Sequence, residues 1–388
     1  MNFLSKTFST LTGNSIPYTF QDKIIDPRGG SFPDNCFLWT VYDGINPKND
    51  NAPVSIFEFN LKDGINIQND WILPAKNCFR KSKLLKLPGV LQVIDYIEDD
   101  NNLYIITEPV TPLYTLLQDE NLSVASKIFG VYQIGQTLLL VNSNNNLHGN
   151  LNMLNSVFVT PSGDWKLFGF ELLTNLNSDP EQPIYRFLKS FPGFESTAPE
   201  DGIDSVRQSP LTFDSYKFGA FIWGIFNPTA LKNINDRVSF TQLNGMTNIP
   251  RDFAKLFRKL INQKANLRCT IDRFMKEMSG VFSSNHLIEF NNELEELKFQ
   301  NDAFKLQFFK NQLEGLISFE GGFPPGFLEY KVLPELLNQY DSISKTKPTI
   351  STTPEAHLQR QETISLLLNY IIKFAVLLPQ TQFSKLVK

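Results

Sequence analysis

Cysteine and histidine are scarce in this chain of 388 residues, which contains three of each. The cysteines, Cys36, Cys78 and Cys269, lie far apart in the sequence. They predict no disulfide framework and, with so few histidines, no metal centre. We therefore expect reduced, buried thiols and no bound metal or other cofactor.

A long uninterrupted apolar run and an excess of basic residues are also missing. The longest apolar stretch, Ile364 to Leu378, contains Asn369 and Lys373, and the N-terminal residues lack the apolar centre of a signal peptide. The formal net charge of -4 excludes a global basic field, so a nucleic-acid contact has to come from a local patch. These absences predict a cytoplasmic protein without a membrane span.

The first part of the chain has the pattern of a small antiparallel sheet. From about Ile16 to Glu98, short β-branched and aromatic runs alternate with turn signals. One helix, from Ala75 to Lys86, interrupts the strands, and Phe79, Leu84 and Leu85 are available for its apolar face.

Helical periodicity dominates from about residue 113, apart from a strand pair around residues 156–168. Beyond Asn285, apolar residues recur every three or four positions, as on the buried faces of paired helices. These residues are Leu287, Phe290, Leu294 and Leu297, followed by Leu306, Phe309, Leu313 and Leu316. The pattern predicts one domain at residues 1–284, with lobes at about 16–112 and 113–284. It also predicts HEAT-like repeats at 285–388, as the start of a longer array.

One segment carries the clearest motif. His148-Gly-Asn-Leu-Asn-Met-Leu-Asn155, followed by Trp165-Lys-Leu-Phe-Gly-Phe-Glu171, resembles the catalytic loop and the DFG motif of protein kinases in order and spacing. Asn150 replaces the aspartate that accepts the substrate proton, and Gly169 replaces the aspartate that holds magnesium. An amide is a negligible base and glycine offers no ligand, so only Asn155 is retained from the polar active-site residues.

The remaining catalytic positions are degenerate as well. Phe57 occupies the position of the lysine that binds the ATP phosphates, and no glycine-rich GxGxxG loop precedes it. Cys78 occupies the position of the glutamate that pairs with this lysine, and the chain has no carboxylate between Asp70 and Asp95. The sequence therefore predicts a kinase-like protein that is not an enzyme and binds no nucleotide.

Residues that pack the kinase fold are retained. Ala198-Pro-Glu200 resembles the APE motif, and Asp214-Ser-Tyr-Lys-Phe-Gly219 resembles the DxWxxG motif of helix F. Arg268 sits where kinases keep the arginine that pairs with the APE glutamate, and a buried pair of this kind is costly to break. The predicted class is α+β, a bilobal protein-kinase-like fold followed by all-α HEAT-like helical repeats.

The run from Thr107 to Leu113 and the run from Phe323 to Leu337 are further features of the sequence. Together with the kinase-like motifs, they make the chain resemble the SCY-like, or N-terminal-kinase-like, pseudokinases. The Asn-rich and Phe-rich composition is most similar to the fungal member that acts in cytoplasmic tRNA export. This resemblance implies an adaptor that receives tRNA at the cytoplasmic face of the nuclear pore and hands it to the translation machinery. The partners it implies are tRNA, nucleoporins, a Ran-type GTPase and the translation elongation factor that carries aminoacyl-tRNA.

Two alternatives remain open, namely an adaptor for vesicle coat proteins at the Golgi, where relatives also act, and a residual kinase. Two basic stretches are the only electrostatic indication of RNA binding. One holds Arg80, Lys81, Lys83 and Lys86. The other, residues 251–276, holds eight basic residues against two acidic ones, with Lys255, Arg258 and Lys259 as candidate contacts. Such faces suit the phosphates of A-form RNA, and ordinary solvated helix faces are an equally good interpretation.

Overall fold

The structure is a computed structural model that describes residues 16–29, 37–119, 122–177, 186–187, 199–200, 206, 208–228, 243–245, 247–319, 322–345 and 354–378. Cys36 and Ala198 lie outside these residues. The chain divides into two compact units, one of residues 1–121, 131–160 and 165–278, and one of residues 122–130, 161–164 and 279–388. The expected domain division after residue 284 stays a prediction.

Five antiparallel strands form the main sheet of the first unit, in the order β1-β2-β3-β5-β4. They are β1 Thr19–Ile25, β2 Thr40–Asn46, β3 Ala52–Asn60, β4 Val93–Glu98 and β5 Asn102–Thr107. Val54 and Ile56 of the central strand pack with Tyr104 and Ile106 in one apolar cluster. Because side chains alternate along a strand, Phe57 points to the opposite face.

Two helices lie between β3 and β4, α1 at Gly64–Gln68 and α2 at Ile72–Leu84. The prediction that Leu84 belongs to the apolar face is wrong, because its side chain is 77% exposed. The buried face instead contains Ala75, Cys78 and Phe79, and α2 packs against a 3₁₀ turn at Phe170–Leu172. Small residues at Ala75 and Cys78 allow that close approach.

The rest of the first unit is mainly helical. Its helices are α3 Leu113–Asp119, α4 Val124–Ser143, α5 Pro210–Phe226, α6 Arg251–Leu260 and α7 Ile271–Glu277, the first turns of α4 being grouped with the second unit. Short strands complete it, namely β6 Thr111–Pro112, β7 Asn146–Leu147, β8 Val157–Val159, β9 Trp165–Leu167 and β10 Thr174–Asn175. Strands β6, β8 and β9 form one small sheet, and β7 pairs with β10. The predicted α+β class is confirmed.

Among the described helices, α4 alone is long and apolar enough to cross a membrane by the criteria of length and composition. Half of that stretch is buried inside the fold, and the core helix of a globular domain meets the same criteria. Its residues Val131, Ile134, Leu138 and Val141 are fully buried at helical spacing, as expected of a core helix.

The second unit is helical in its described part. Its long segment contains α8 Ser279–Ser283, α9 His286–Glu296, α10 Asp302–Ile317, a π-helical turn Leu328–Val332, α11 Leu333–Lys345 and α12 Pro354–Val376. Helix α9 packs on α10, and α12 packs on α10 and α11. The eight apolar residues predicted to form the buried faces of the first two segments are all buried. That these helices are HEAT repeats stays a prediction.

Candidate functional site

An aromatic cluster occupies the region of the lysine that binds ATP in kinases. Phe57 is fully buried, and its ring centroid lies 5.2 Å from that of Phe158 on β8 and 4.8 Å from that of Phe168 after β9. The rings of Phe158 and Phe168 are 5.9 Å apart, so all three contact each other. This cluster offers a phosphate neither a positive charge nor a hydrogen-bond donor.

A buried carboxylate lies where kinases have the glycine of the DFG motif. The side chain of Glu171, in the turn Phe170–Leu172, accepts hydrogen bonds from Trp39 Nε1 at 2.8 Å and from Asn150 Nδ2 at 3.0 Å. Burial raises the pKa of Glu171, and these hydrogen bonds counteract the rise. Asn150, which the motif alignment assigns to the position of the catalytic aspartate, therefore binds a side chain of the protein itself.

Helix α2 holds this degenerate DFG segment. Asn77 Nδ2 lies 3.0–3.2 Å from the carbonyl oxygens of Phe170, Glu171 and Leu173. The neighbouring Cys78 is fully buried, and burial, together with the nearby Glu171 carboxylate, raises the pKa of its thiol. A neutral thiol cannot replace the glutamate that would pair with a lysine.

At the position that the motif assigns to the magnesium-binding aspartate, the backbone conformation and the neighbouring Ser156 leave no space for a side chain. Gly169 has a φ of +78°, and a Cβ atom there would lie 2.8 Å from Ser156 Cβ. Any other residue is therefore both strained and too close to its neighbour. Asn155, the retained amide, is buried with 2% of its surface exposed. Among the described residues, no three His, Cys, Asp or Glu side chains are grouped to hold a metal ion.

Asp214 of α5 holds the catalytic-loop segment through its backbone. Its carboxylate accepts hydrogen bonds from the N–H groups of His148 at 2.7 Å and Gly149 at 2.9 Å, and from Asn142 Nδ2 at 2.9 Å. Burial raises the pKa of Asp214 to about 6. His148 Nε2 lies 2.8 Å from the carbonyl oxygen of Phe168, and burial lowers the pKa of this imidazole to about 4. Buried hydrogen bonds from Asp214 and His148 therefore hold this loop in place.

Arg268 is buried against Glu200. Its Nη1 contacts Glu200 Oε1, and its Nη2 lies 3.1 Å from Oε2. The guanidinium also donates to the carbonyl oxygens of Thr212 at 3.0 Å and Asn262 at 2.6 Å, and it lies 4.8 Å from the ring centroid of Tyr216. The arginine and the carboxylate thus satisfy each other inside the fold.

No protein-family model matches the chain. It is 26% identical over 283 residues to "Probable inactive serine/threonine-protein kinase scy1" of Dictyostelium discoideum, a match that covers 72% of this chain and 33% of that protein. It is 27% identical over 347 residues to "Cytoplasmic export protein 1" of Saccharomyces cerevisiae, with 87% of this chain and 39% of that protein covered. The chain resembles the SCY1-like proteins. The family resemblance predicted from the motifs is confirmed.

A solved structure, described as the crystal structure of Cex1p, has the fold of this chain. The TM-score is 0.64 at 22% sequence identity, and the alignment covers 96% of this chain and 64% of that one. At this identity the likeness shows the fold. The chain spans between a third and two fifths of the length of the two curated relatives described above.

The basic residues near the end of α2, and Lys86 just beyond it, are partly engaged with other groups of the protein. Arg80, Lys83 and Lys86 are exposed, while Lys81 is half-buried, and burial lowers the pKa of its amine. The Lys83 amine lies 4.1 Å from the ring centroid of Phe79 and 4.9 Å from that of Tyr96.

The second basic stretch presents fewer available charges than its composition indicates. Arg268 is buried with Glu200, and Lys259 lies 3.5 Å from Glu277, which also pairs with Arg273. Lys255 and Arg258 are exposed on α6. Glu277 lies one residue beyond the counted stretch, so the sequence count left its carboxylate out.

No motif or pattern in the sequence predicted a role for Trp39, Asn77 or Glu171, which fill this site and hold it together. Glu171 carried a signal, because it stands where the DFG motif has glycine and therefore places a new side chain at the centre of the site. Trp39 is 132 residues away from it along the chain, so no local pattern connects the two.

Proposed function

We propose that this chain is a noncatalytic pseudokinase scaffold that serves as an adaptor in nuclear tRNA export. It works in the cytoplasm and in part at the cytoplasmic face of the nuclear pore. The observation that carries the noncatalytic half is the filled site, in which Glu171 bridges Trp39 and Asn150. Support for the adaptor half comes from the similarity to cytoplasmic export protein 1 and from the family motifs.

Loss of catalysis follows from several independent changes. Phosphoryl transfer needs a lysine and magnesium on the ATP phosphates and a carboxylate that orients the nucleophile. Phe57, Gly169 and Asn150 supply none of these groups. The rings packed around Phe57 and the closeness of Ser156 to Gly169 also leave no space for a single substitution to restore the lysine or the magnesium ligand.

The helical second unit fits a docking role. Its last described helix, α12, buries Leu367 and Phe374 on one face but exposes Leu368, Ile372 and Val376 to 45%, 58% and 78%. An apolar face of this kind is typical of a helix that packs against a further neighbour, as in a HEAT-like array. We infer that such an array binds the protein partners, namely nucleoporins, a Ran-type GTPase and the elongation factor that carries aminoacyl-tRNA.

The test is a gel-shift titration of this chain with tRNA over a series of salt concentrations. We expect binding whose logarithmic affinity falls linearly with the logarithm of the salt concentration, because phosphate contacts release counterions. A DNA duplex of matched length is the control, and A-form recognition predicts weaker binding to it. Absence of tRNA binding, together with capture of vesicle coat proteins, would favour the Golgi adaptor instead.

A further inference from the structure

A cavity of about 200 Å³ lies in the second unit, beside the π-helical turn Leu328–Val332. Apolar residues make up most of its lining, among them Phe323, Phe327 and Leu378. Glu329 is the one charged residue among the described residues that line it. Turns of this π-helical kind are frequent at functional sites. The cavity thus combines aromatic surface with a single carboxylate, and the proposed function gives it no part.

The aromatic wall of the cavity is rigidly held. The rings of Phe323 and Phe327 are stacked, with centroids 6.1 Å apart and an angle of 7° between their planes. Phe327 is fully buried, whereas Phe323 is half-buried, so part of the Phe323 ring is accessible. At Gly326, φ is +73°, and a Cβ atom there would collide with the carbonyl oxygen of Pro161. The turn between the two rings is therefore tightly packed.

The carboxylate of the cavity is buried and has few partners. Glu329 has 5% of its surface exposed. It interacts with the phenol of Tyr330, whose pKa is raised by the hydrogen bond to Glu329, by burial and by the charge of the carboxylate. Among the described residues no lysine or arginine pairs with Glu329, and the nearby Lys331 binds Asp164 at 2.6 Å instead. A buried carboxylate without a counter-ion costs free energy, and an incoming cation would reduce that cost.

We propose that this cavity receives an arginine side chain of a partner protein, whose guanidinium pairs with Glu329 and stacks on Phe323. A guanidinium is planar, donates two parallel hydrogen bonds to a carboxylate and stacks on aromatic rings, whereas the ammonium group of lysine is a compact point charge. Sites for drug-sized ligands are about 300–1,000 Å³ in volume, so this smaller cavity suits one side chain better than a whole metabolite. Its negative charge repels the phosphates of RNA. The inference therefore does not depend on tRNA binding by this chain.

The experiment measures the binding of the peptide acetyl-Gly-Arg-Gly-amide to the unmodified chain in a titration followed by saturation-transfer NMR. Peptides with citrulline or lysine in place of arginine are the ligand controls, because citrulline has nearly the shape of arginine without its charge, and lysine has the charge without the plane. Glu329→Gln removes the charge of the cavity, and Phe323→Leu removes its accessible ring. Glu296→Gln is the matched control, since Glu296 is exposed, belongs to the same unit and does not line the cavity.

We expect the citrulline peptide and the Glu329→Gln variant each to lower the affinity at least about tenfold, because a charged hydrogen-bonded pair is lost. Phe323→Leu should lower the affinity for the arginine peptide about two- to fivefold, as expected for an exposed cation–π contact. Glu296→Gln should leave it within about twofold, because a single exposed charge contributes little.

The stability of Glu329→Gln is a second measurement on the same cavity. Its melting temperature, followed by circular dichroism, should equal or exceed that of the unmodified chain, because the variant removes a buried charge that has no counter-ion. A fall of more than about 3 °C would show that the fold already satisfies the carboxylate, and the inference would fail. It also fails if the arginine peptide does not bind, if the citrulline or lysine peptide binds equally well, or if Glu329→Gln keeps the full affinity.

Discussion

At the scale of single residues, Arg268 and Glu200 are a buried pair with several additional hydrogen bonds. The guanidinium reaches both oxygens of the carboxylate and the backbone carbonyl oxygens of Thr212, Asn262 and Gln263, so each of its five donors has an acceptor in the fold. Removing one member of such a pair leaves the other charge buried and unsatisfied. The pair is structural and lies apart from the lost chemistry.

We predict that Arg268→Ala lowers the free energy of unfolding of the first unit by about 3–5 kcal/mol. Urea unfolding followed by tryptophan fluorescence measures this, because all four tryptophans lie in that unit. The control is Arg273→Ala, which removes an exposed partner of Glu277 and should leave the midpoint close to that of the unmodified protein. Equal midpoints for the two variants would show that the pair with Glu200 does not stabilise the fold.

His148 gives the first unit a pH dependence of known sign. Its pKa is lowered from 6.5 to about 4 in the folded state, because burial disfavours the imidazolium. Between these values the unfolded chain binds more protons than the folded one, so the free energy of unfolding falls as the pH falls. Asp214, with its pKa raised to about 6, contributes the opposite slope, so a variant is needed to isolate the histidine.

We predict that His148→Gln removes this dependence. Glutamine can still donate a hydrogen bond to the carbonyl oxygen of Phe168 but does not titrate. Relative to the variant, the unmodified protein should lose up to about 3 kcal/mol of stability between pH 6.5 and pH 4, and none above pH 6.5. Urea midpoints at a series of pH values provide the measurement. Parallel curves for the two proteins would mean that His148 becomes protonated in the folded state.

At the scale of elements, the sequence correctly predicted features that depend on residues close together in the chain. The strand pair β8 and β9 was predicted from its motif and turn, and the apolar faces of α9 and α10 from their spacing. The buried face of α2 was predicted incorrectly at Leu84, because that face is chosen by the turn Phe170–Leu172, which is distant in sequence.

The candidate site shows the same division between local and distant information. The sequence predicts the loss of the catalytic residues at Phe57, Asn150 and Gly169, since each occupies a matched motif position, and this assignment stays a prediction. The residues that fill the site could not be predicted from the sequence. Phe57 meets Phe158 and Phe168 only after β3 and the β8–β9 pair have packed together, about 100 residues apart in sequence.

At the scale of the whole molecule, the losses predicted at the kinase nucleotide site lead to one expectation, the absence of nucleotide binding. No part of the described site offers a cation to the ATP phosphates, and Gly169 offers no ligand to magnesium. A folded protein that binds a ligand gains stability by mass action, so nucleotide binding is visible in thermal unfolding. A ligand at 100 times its dissociation constant adds about 2.7 kcal/mol, or roughly 5 °C or more for a unit of this size.

We therefore predict that about 5 mM magnesium-ATP shifts the melting temperature by less than roughly 0.5 °C relative to magnesium alone. Tryptophan fluorescence again reports on the first unit, where the degenerate site lies. ATP with a chelator serves as the second control, because it separates binding through magnesium from nonspecific anion effects. A rise that needs both magnesium and nucleotide would show that the chain binds ATP by groups other than the kinase ones. The prediction that the chain binds no nucleotide would then be wrong, whatever the outcome of the tRNA titration.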